Sequence, residues 1–279
     1  MKRILVTGHR GQLGAALARR IPEAAFAGLD LPDTDVRDAA SVLEAVRRAA
    51  PGLVVHCAAM TDVDGCARDP AGALAVNAGG TEHVARAARD VGADLVYVGT
   101  NEVFDGESDR PYAEDDPVRP INAYGRSKLE GEVAAARAQP RCWIVRTAWV
   151  YGSGGRNFIH RILGAADEGR RLRVVTDEVS SPTWTEDLAA AILHLALSAP
   201  HGVYHAAGLG ACSRYELARA ALELGGRGDV AVEPIRSAEW PRDSRPPLRA
   251  PLDCSRAVAL GAPLRPWREA LALFLRGSP

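Results

Sequence analysis

Tyr124 and Lys128, within Tyr124-Gly-Arg-Ser-Lys128, stand four residues apart. On a helix that spacing puts both side chains on one face, so the ammonium can lie under the phenol and favour its ionised form. A free tyrosine titrates near pH ~10, and a useful proton donor nearer the working pH; closing roughly three units takes about 4 kcal/mol of preferential support for the phenolate. A nearby lysine and an oxidised nicotinamide could supply it together. The same pair also arises by chance on surface helices, so its weight depends on the rest of the chain.

A glycine loop lies upstream. Gly8-His-Arg-Gly11-Gln-Leu-Gly14 falls between an apolar run, Arg3 to Thr7, and an alanine- and leucine-rich segment with helical spacing, Gln12 to Arg20. In that strand–turn–helix context, glycines permit the tight turn and let backbone amides approach a pyrophosphate, with Gly8, Gly11, Gln12 and Leu13 around it. The helix start adds a positive field. Asp30 follows the second apolar run, sixteen residues beyond Gly14, where a carboxylate can hold the adenosine ribose hydroxyls. It would repel the extra phosphate of NADP, whereas Arg10 could attract it. The cofactor is NADH or NADPH, leaning towards NADH. Asp35 and Val36 are placed for the adenine, although Asp35 equally suits a loop cap. Ala58 and Ala59 are placed beneath the cofactor ribose, although a small-residue turn there also suits packing.

These groups need a scaffold. Apolar runs recur at Ala25 to Leu29, Leu53 to Cys57, Leu95 to Gly99 and Trp143 to Thr147, separated by helical stretches such as Ala39 to Ala50 and Glu82 to Val91. Such alternation predicts an α/β fold, a doubly wound parallel sheet of Rossmann type. Residues 1–150 are expected to form the dinucleotide-binding domain, with the chain returning to it near 184–206, and residues 151–279 mainly a smaller C-terminal substrate-binding lobe. That lobe has helical patterns at Phe158 to Glu168, Glu186 to Ser198, Arg214 to Leu224 and Trp267 to Leu275, a strand at Val203 to Ala206, and a long loop from Pro234 to Pro251.

Composition narrows the function. At 279 residues and 47% hydrophobic, the chain can bury a core. A net charge of -1 argues against nucleic-acid or membrane-surface binding. Met1-Lys-Arg runs straight into the first strand and no apolar run reaches membrane-spanning length, so a cytoplasmic protein without a signal peptide is expected. The five cysteines and seven histidines are scattered, without zinc or redox spacing. No metal is expected.

With Gly8-x-x-Gly11-x-x-Gly14, Tyr124-x-x-x-Lys128, Asn77 in Val-Asn-Ala and Thr100 closing the fourth strand, the chain resembles the extended short-chain dehydrogenase/reductase family. Within it, the chain resembles the dTDP-4-dehydrorhamnose reductases. That likeness spans nearly the whole chain, through Ala59-Met-Thr-Asp-Val-Asp64, Val103-Phe-Asp-Gly106, Pro120-Ile-Asn-Ala-Tyr-Gly125, Arg146-Thr-Ala-Trp-Val-Tyr-Gly152, Asn157-Phe158, Ser181-Pro-Thr183 and Arg245-Pro246. The resemblance implies reduction of the C4 ketone of a dTDP-4-dehydro-6-deoxy sugar. Tyr124 would protonate the oxygen, Thr100 would hydrogen-bond it, and Lys128 would hold the nicotinamide ribose. It also implies that Trp149 packs on the sugar and that Thr61, Val63, Asn101, Asn157, Ser181, Thr183 and Arg245 serve the nucleotide-sugar side. Core packing is the plain alternative for Trp149, and capping of a surface loop for Arg245. One departure stands out: these reductases usually carry aspartate after the threonine, and here Asn101 is followed by Glu102. Asparagine can orient a hydroxyl but cannot carry a proton. Other readings are a reductase of another 4-keto nucleotide sugar in antibiotic assembly, or a non-catalytic regulatory subunit on the same scaffold. The working unit is a monomer or homodimer.

Overall fold

The structure, a computed structural model, describes residues 2–155 and 157–277. Short strands and helices alternate: β1 (Ile4–Thr7), α1 (Gln12–Arg20), β2 (Phe26–Leu29), α2 (Ala39–Ala49), β3 (Leu53–His56), the short helices α3 (Val63–Arg68) and α4 (Pro70–Leu74), a wide π-type turn over Ala75–Gly80, α5 (Thr81–Asp90), β4 (Asp94–Thr100), α6 (Ala123–Ala138) and β5 (Cys142–Thr147). Then follow β6 (Val150–Tyr151), α7 (Phe158–Asp167), β7 (Leu172–Val175), β8 (Val179–Ser180), β9 (Thr183–Trp184), α8 (Thr185–Ser198), β10 (Gly202–His205), β11 (Cys212–Ser213), α9 (Arg214–Leu224), β12 (Val232–Ile235), α10 (Ser255–Ala259) and α11 (Trp267–Leu275).

Six strands form one parallel sheet in the order β10-β5-β4-β3-β1-β2. Successive residues point to opposite faces. Val6, Val55, Val96 and Val145 pack with Leu17, Leu188 and Ile192 of α1 and α8. Leu5, Val54, Leu95 and Ile144 pack with Val42, Val84 and Ala135 of α2, α5 and α6. Burial on both faces is why these strands read as continuous apolar runs. From β1 the chain passes to β2 on one side and then to β3 on the other, so a crevice opens at the carboxyl ends of β1 and β3.

The chain comes back to this sheet late: β10 pairs in parallel with β5, with Gly202 opposite Trp143. Elsewhere, α7, α9 and α11 enclose two further apolar clusters, one around Ile159, Leu217 and Phe274 and one around Ile162, Leu172 and Val232.

Two expectations need correction. The stretch from Pro234 to Pro251 is not loop throughout, because Pro234 lies inside β12, opposite Val174 of β7. That ladder has only two strands, so a residue lacking an N–H can sit on its open side without cost to a neighbour. Helices α3 and α4 were not expected. At six and five residues they are too short to show a period, and α4 is fixed locally by Asp69, whose side chain caps Gly72, with Pro70 opening the helix.

Candidate active site

A cleft of about 850 Å³ opens at the crevice and runs past the ends of β4 and β5 to α7 and α9. Its floor depends on glycine. Gly8 has φ +66°, and a Cβ there would lie 2.8 Å from the Ala58 nitrogen; a Cβ on Gly14 would lie 2.3 Å from the Gly8 oxygen. The β1–α1 turn can therefore lie against the turn after β3, and α1 can start close to the sheet. Gly8, Gly11, Gln12 and Leu13 border the cleft, facing it with the positive end of a nine-residue helix.

Asp30, Asp35, Val36, Ala58 and Ala59 line the same end. Asp30 is held by two backbone amides, accepting from Arg10 and Leu31 at 2.9 Å each. Arg10 does not reach the cleft with its side chain. Its guanidinium is bound to the Leu31 carbonyl and to Asp33, so the expected attraction for a ribose phosphate is spent on neighbouring groups. Asp35 is paired with Arg37 at 2.5 Å, which holds its carboxyl below the usual range. A tight glycine turn, a helix N-terminus and a fixed carboxylate are the features a dinucleotide needs.

At the middle of the cleft stand Thr100, Tyr124 and Lys128. Asn122 caps α6 by accepting from the Gly125 amide at 2.7 Å, which sets Tyr124 in the first turn and Lys128 one turn on. Lys128 is buried; its Nζ donates to the Val98 carbonyl at 2.8 Å and lies 4.2 Å from the centre of the Tyr97 ring. Burial lowers its pKa to about 8, with Glu132 and Cys57 pulling the other way. The phenol does not follow the sequence expectation. Burial and then Glu102 raise the Tyr124 pKa, Thr100 opposes them, and Lys128 does not set the shift. The reason is that a buried ammonium takes the nearest strong acceptor, here a backbone carbonyl, rather than the phenol.

Behind this row lies a buried polar relay. His56 joins Thr7 at 2.6 Å to Thr81 at 3.0 Å. Burial, and then Lys128, depress its pKa to about 3, so it is neutral. Asn77 holds both the amide and the carbonyl of Met60 and donates to Ser127 of α6. It thereby ties the turn after β3 to the helix bearing Tyr124.

The far end is built from Trp149, Phe158, Arg161 and Arg214. Trp149 has φ +43°, a left-handed backbone that costs a non-glycine residue and recurs at functional sites. Arg214 lies 3.5 Å from its ring and 5.1 Å from the Phe158 ring. Burial lowers the Arg214 pKa to about 10, and Glu178 and Glu102 partly offset this. Sequence reading missed Arg214, Arg161 and Glu102. The Ser213–Glu216 capping box marks where α9 begins, but nothing in the chain tells that Arg214 faces Trp149.

Among the other expected substrate-side residues, Thr61, Val63, Asn101 and Asn157 line the cleft. Asn101 donates its amide nitrogen to Ser180 and the Ala250 carbonyl, while its Oδ1 accepts from the Thr100 hydroxyl at 3.5 Å. Asn157 caps α7 and donates to Gln12 and Gly152. Three residues lie outside the cleft. Ser181 and Thr183 are fully buried and donate their hydroxyls to the carbonyls of Gly210 and Ser181. Arg245 is exposed, and its carbonyl receives Asn122.

Among the described residues no helix is long and apolar enough to cross a membrane. The sequence matches the description "RmlD substrate binding domain" over residues 1–278. It is 42% identical to dTDP-4-dehydrorhamnose reductase of Mycobacterium tuberculosis, over 98% of this chain and 92% of that one. Two solved dTDP-4-dehydrorhamnose reductases superpose closely. The Clostridium acetobutylicum enzyme gives a TM-score of 0.94 at 35% identity and 98% coverage of both chains. The Bacillus anthracis enzyme, in complex with NADP, gives 0.95 at 32% identity and 99% coverage of both. Sequence, fold and cleft agree: the chain belongs to the RmlD substrate-binding domain family, within the extended short-chain dehydrogenases/reductases.

Proposed function

We propose that this chain is an NADH- or NADPH-dependent reductase of the C4 ketone of a dTDP-4-dehydro-6-deoxy sugar, converting dTDP-4-dehydrorhamnose to dTDP-L-rhamnose. The observation that carries this reading is one continuous cleft with the glycine loop at one end, Thr100, Tyr124 and Lys128 in the middle, and Trp149 with Arg214 at the other. Relatives of full length named for this reaction support it.

The nicotinamide, when bound, supplies hydride to the carbonyl carbon. The chain's own groups do the rest. Thr100 and Tyr124 donate hydrogen bonds to the ketone oxygen, and Tyr124 gives up its proton as charge develops there; fixed donors of this kind contribute typically about 3–4 kcal/mol each. Lys128 holds the ribose. Asp30 takes the adenosine ribose. At the far end, Trp149 offers a flat face to the sugar, and Arg214 and Arg161 offer cations to the diphosphate. On this reading residues 151–279 are mainly the substrate side, with the chain rejoining the cofactor side near 184–206. Both ligands are soluble and charged, which fits a cytoplasmic enzyme working as a monomer or homodimer.

The test is loss of near-ultraviolet nicotinamide absorbance when purified protein meets enzymatically made dTDP-4-keto sugars, with the product identified by NMR. Binding of NADPH without consumption on any such sugar would instead favour a regulatory subunit.

A further inference from the structure

Glu102 is unused in that reduction, since hydride comes from the dinucleotide and the proton from Tyr124. Among the described carboxylates lining the cleft, Asp30 and Asp35 belong to the glycine-loop end, while Glu102 stands beside Thr100 and Tyr124. Its backbone amide donates to the Thr100 hydroxyl at 3.3 Å. Its Oε2 accepts from Asn122 Nδ2 at 2.6 Å. Asn122 also caps the helix that carries Tyr124, so one residue aims both groups. Oε1 has no hydrogen-bond partner among the described residues. Burial raises the carboxyl pKa, with Asn122, Arg242 and Arg214 opposing, and a carboxylate so placed is a stronger base than one in water.

We propose, resting on the reductase reading, that Glu102 is a general base acting on the carbon next to the C4 ketone, so that this cleft also catalyses proton exchange at that carbon. The Oε1 oxygen removes the proton, the C–H electron pair becomes the C=C bond of an enolate, and the carbonyl π pair moves onto oxygen. The protonated carboxyl of Glu102 exchanges its proton with water, and return of that solvent-derived proton to the carbon restores the ketone, with no net redox change and water as the only other reactant. On the reductase reading Thr100 and Tyr124 donate to the ketone oxygen, and donors that stabilise an alkoxide there also stabilise an enolate. The carbons flanking C4 are one bond from the polarised centre, so a base beside those two hydroxyls is the only further part that enolisation needs. Asn101 does not compete for the role, because an amide cannot take up the proton.

The experiment incubates the full chain with NADP⁺, which cannot reduce the ketone, and dTDP-4-dehydro-6-deoxyglucose in D₂O, and reads deuterium in the recovered sugar by mass spectrometry and NMR. A parallel arm with NADPH reads reduction. Wild type should incorporate deuterium next to C4 well above a protein-free control. Glu102→Gln should lose about a hundredfold of that exchange, the scale of a general base, and lose much less of the reduction; Glu102→Asp should regain part of the exchange. Reduction without exchange by wild type overturns the inference and leaves the reductase reading standing. Absence of both overturns both. Exchange by Glu102→Gln at the wild-type rate overturns the role of Glu102.

Discussion

The guanidinium of Arg214 lies 3.5 Å from the ring of Trp149, joining the first residue of α9 to a side chain held out by left-handed backbone after β5. A desolvated cation over tryptophan is worth about 2 kcal/mol. The pairing fixes the flat face proposed for the sugar and the cation proposed for the diphosphate. Arg214→Met should therefore raise KM for the nucleotide sugar by about tenfold or more, with NADPH affinity unchanged. Steady-state kinetics and a cofactor titration check this, and an unchanged KM would remove Arg214 from the substrate end.

Tyr124→Phe removes the proposed proton donor while keeping the ring. Turnover should fall by about 10²–10⁴-fold, while NADPH fluorescence still reports cofactor binding close to wild type. Wild-type turnover in this variant would remove Tyr124 as the acid.

The pH profile should separate Lys128 from Tyr124. Burial holds the Lys128 pKa at about 8 and raises that of Tyr124, so the amine loses its proton first. An alkaline limb in kcat/KM near pH 8 is expected, because that profile reports the free enzyme. Stability runs the other way. Between about 8 and the unfolded value of 10.5 the unfolded chain holds more protons, so this residue's contribution rises with pH. Lys128→Met should abolish the limb and the stability trend together.

Asp30 faces the cleft, and the Arg10 side chain is committed to Leu31 and Asp33. A fixed carboxylate there disfavours a ribose phosphate. Asp30→Ala should shift the kcat/KM ratio towards NADPH over NADH by about tenfold, roughly 1.4 kcal/mol. Competition between the two cofactors in one assay would read the shift directly.

Under the cleft, Arg146 of β5 and Glu132 of α6 form a buried pair at 2.8 Å, both side chains 6% exposed or less. Removing one partner strands the other charge, which typically costs about 3–5 kcal/mol. Glu132→Leu should lower the urea midpoint far more than the Arg146→Met/Glu132→Leu double variant. Equal losses would show that the cost lies in packing.

The alternating scaffold was legible because a strand buried on both faces leaves a continuous apolar run and a glycine turn leaves a spacing. Both marks are local. Pro234 misled for the same reason: proline is read as a breaker unless the ladder it joins is known to end beside it. Tyr124 and Lys128 were read from type and spacing and Thr100 came with the family resemblance, but the electrostatics of the row were not legible. The sequence places Lys128 on the same face as Tyr124, and only the fold shows the amine taken by the Val98 carbonyl. Ser181 and Thr183 came to the substrate side through the family resemblance, and a sequence motif does not tell whether a hydroxyl faces a ligand or a buried carbonyl.

Local order in the chain therefore decided the strand–turn–helix start, the parallel sheet and the identity of the residues at its carboxyl edge. Tertiary structure alone decided that Arg214 meets Trp149, that the Asn101 amide nitrogen bonds Ser180 and Ala250, and that Glu102 stands beside Thr100 and Tyr124. Backbone turns and apolar periods are encoded over a few residues, whereas burial, and with it charge and hydrogen-bond partnership, depends on segments far apart in the chain.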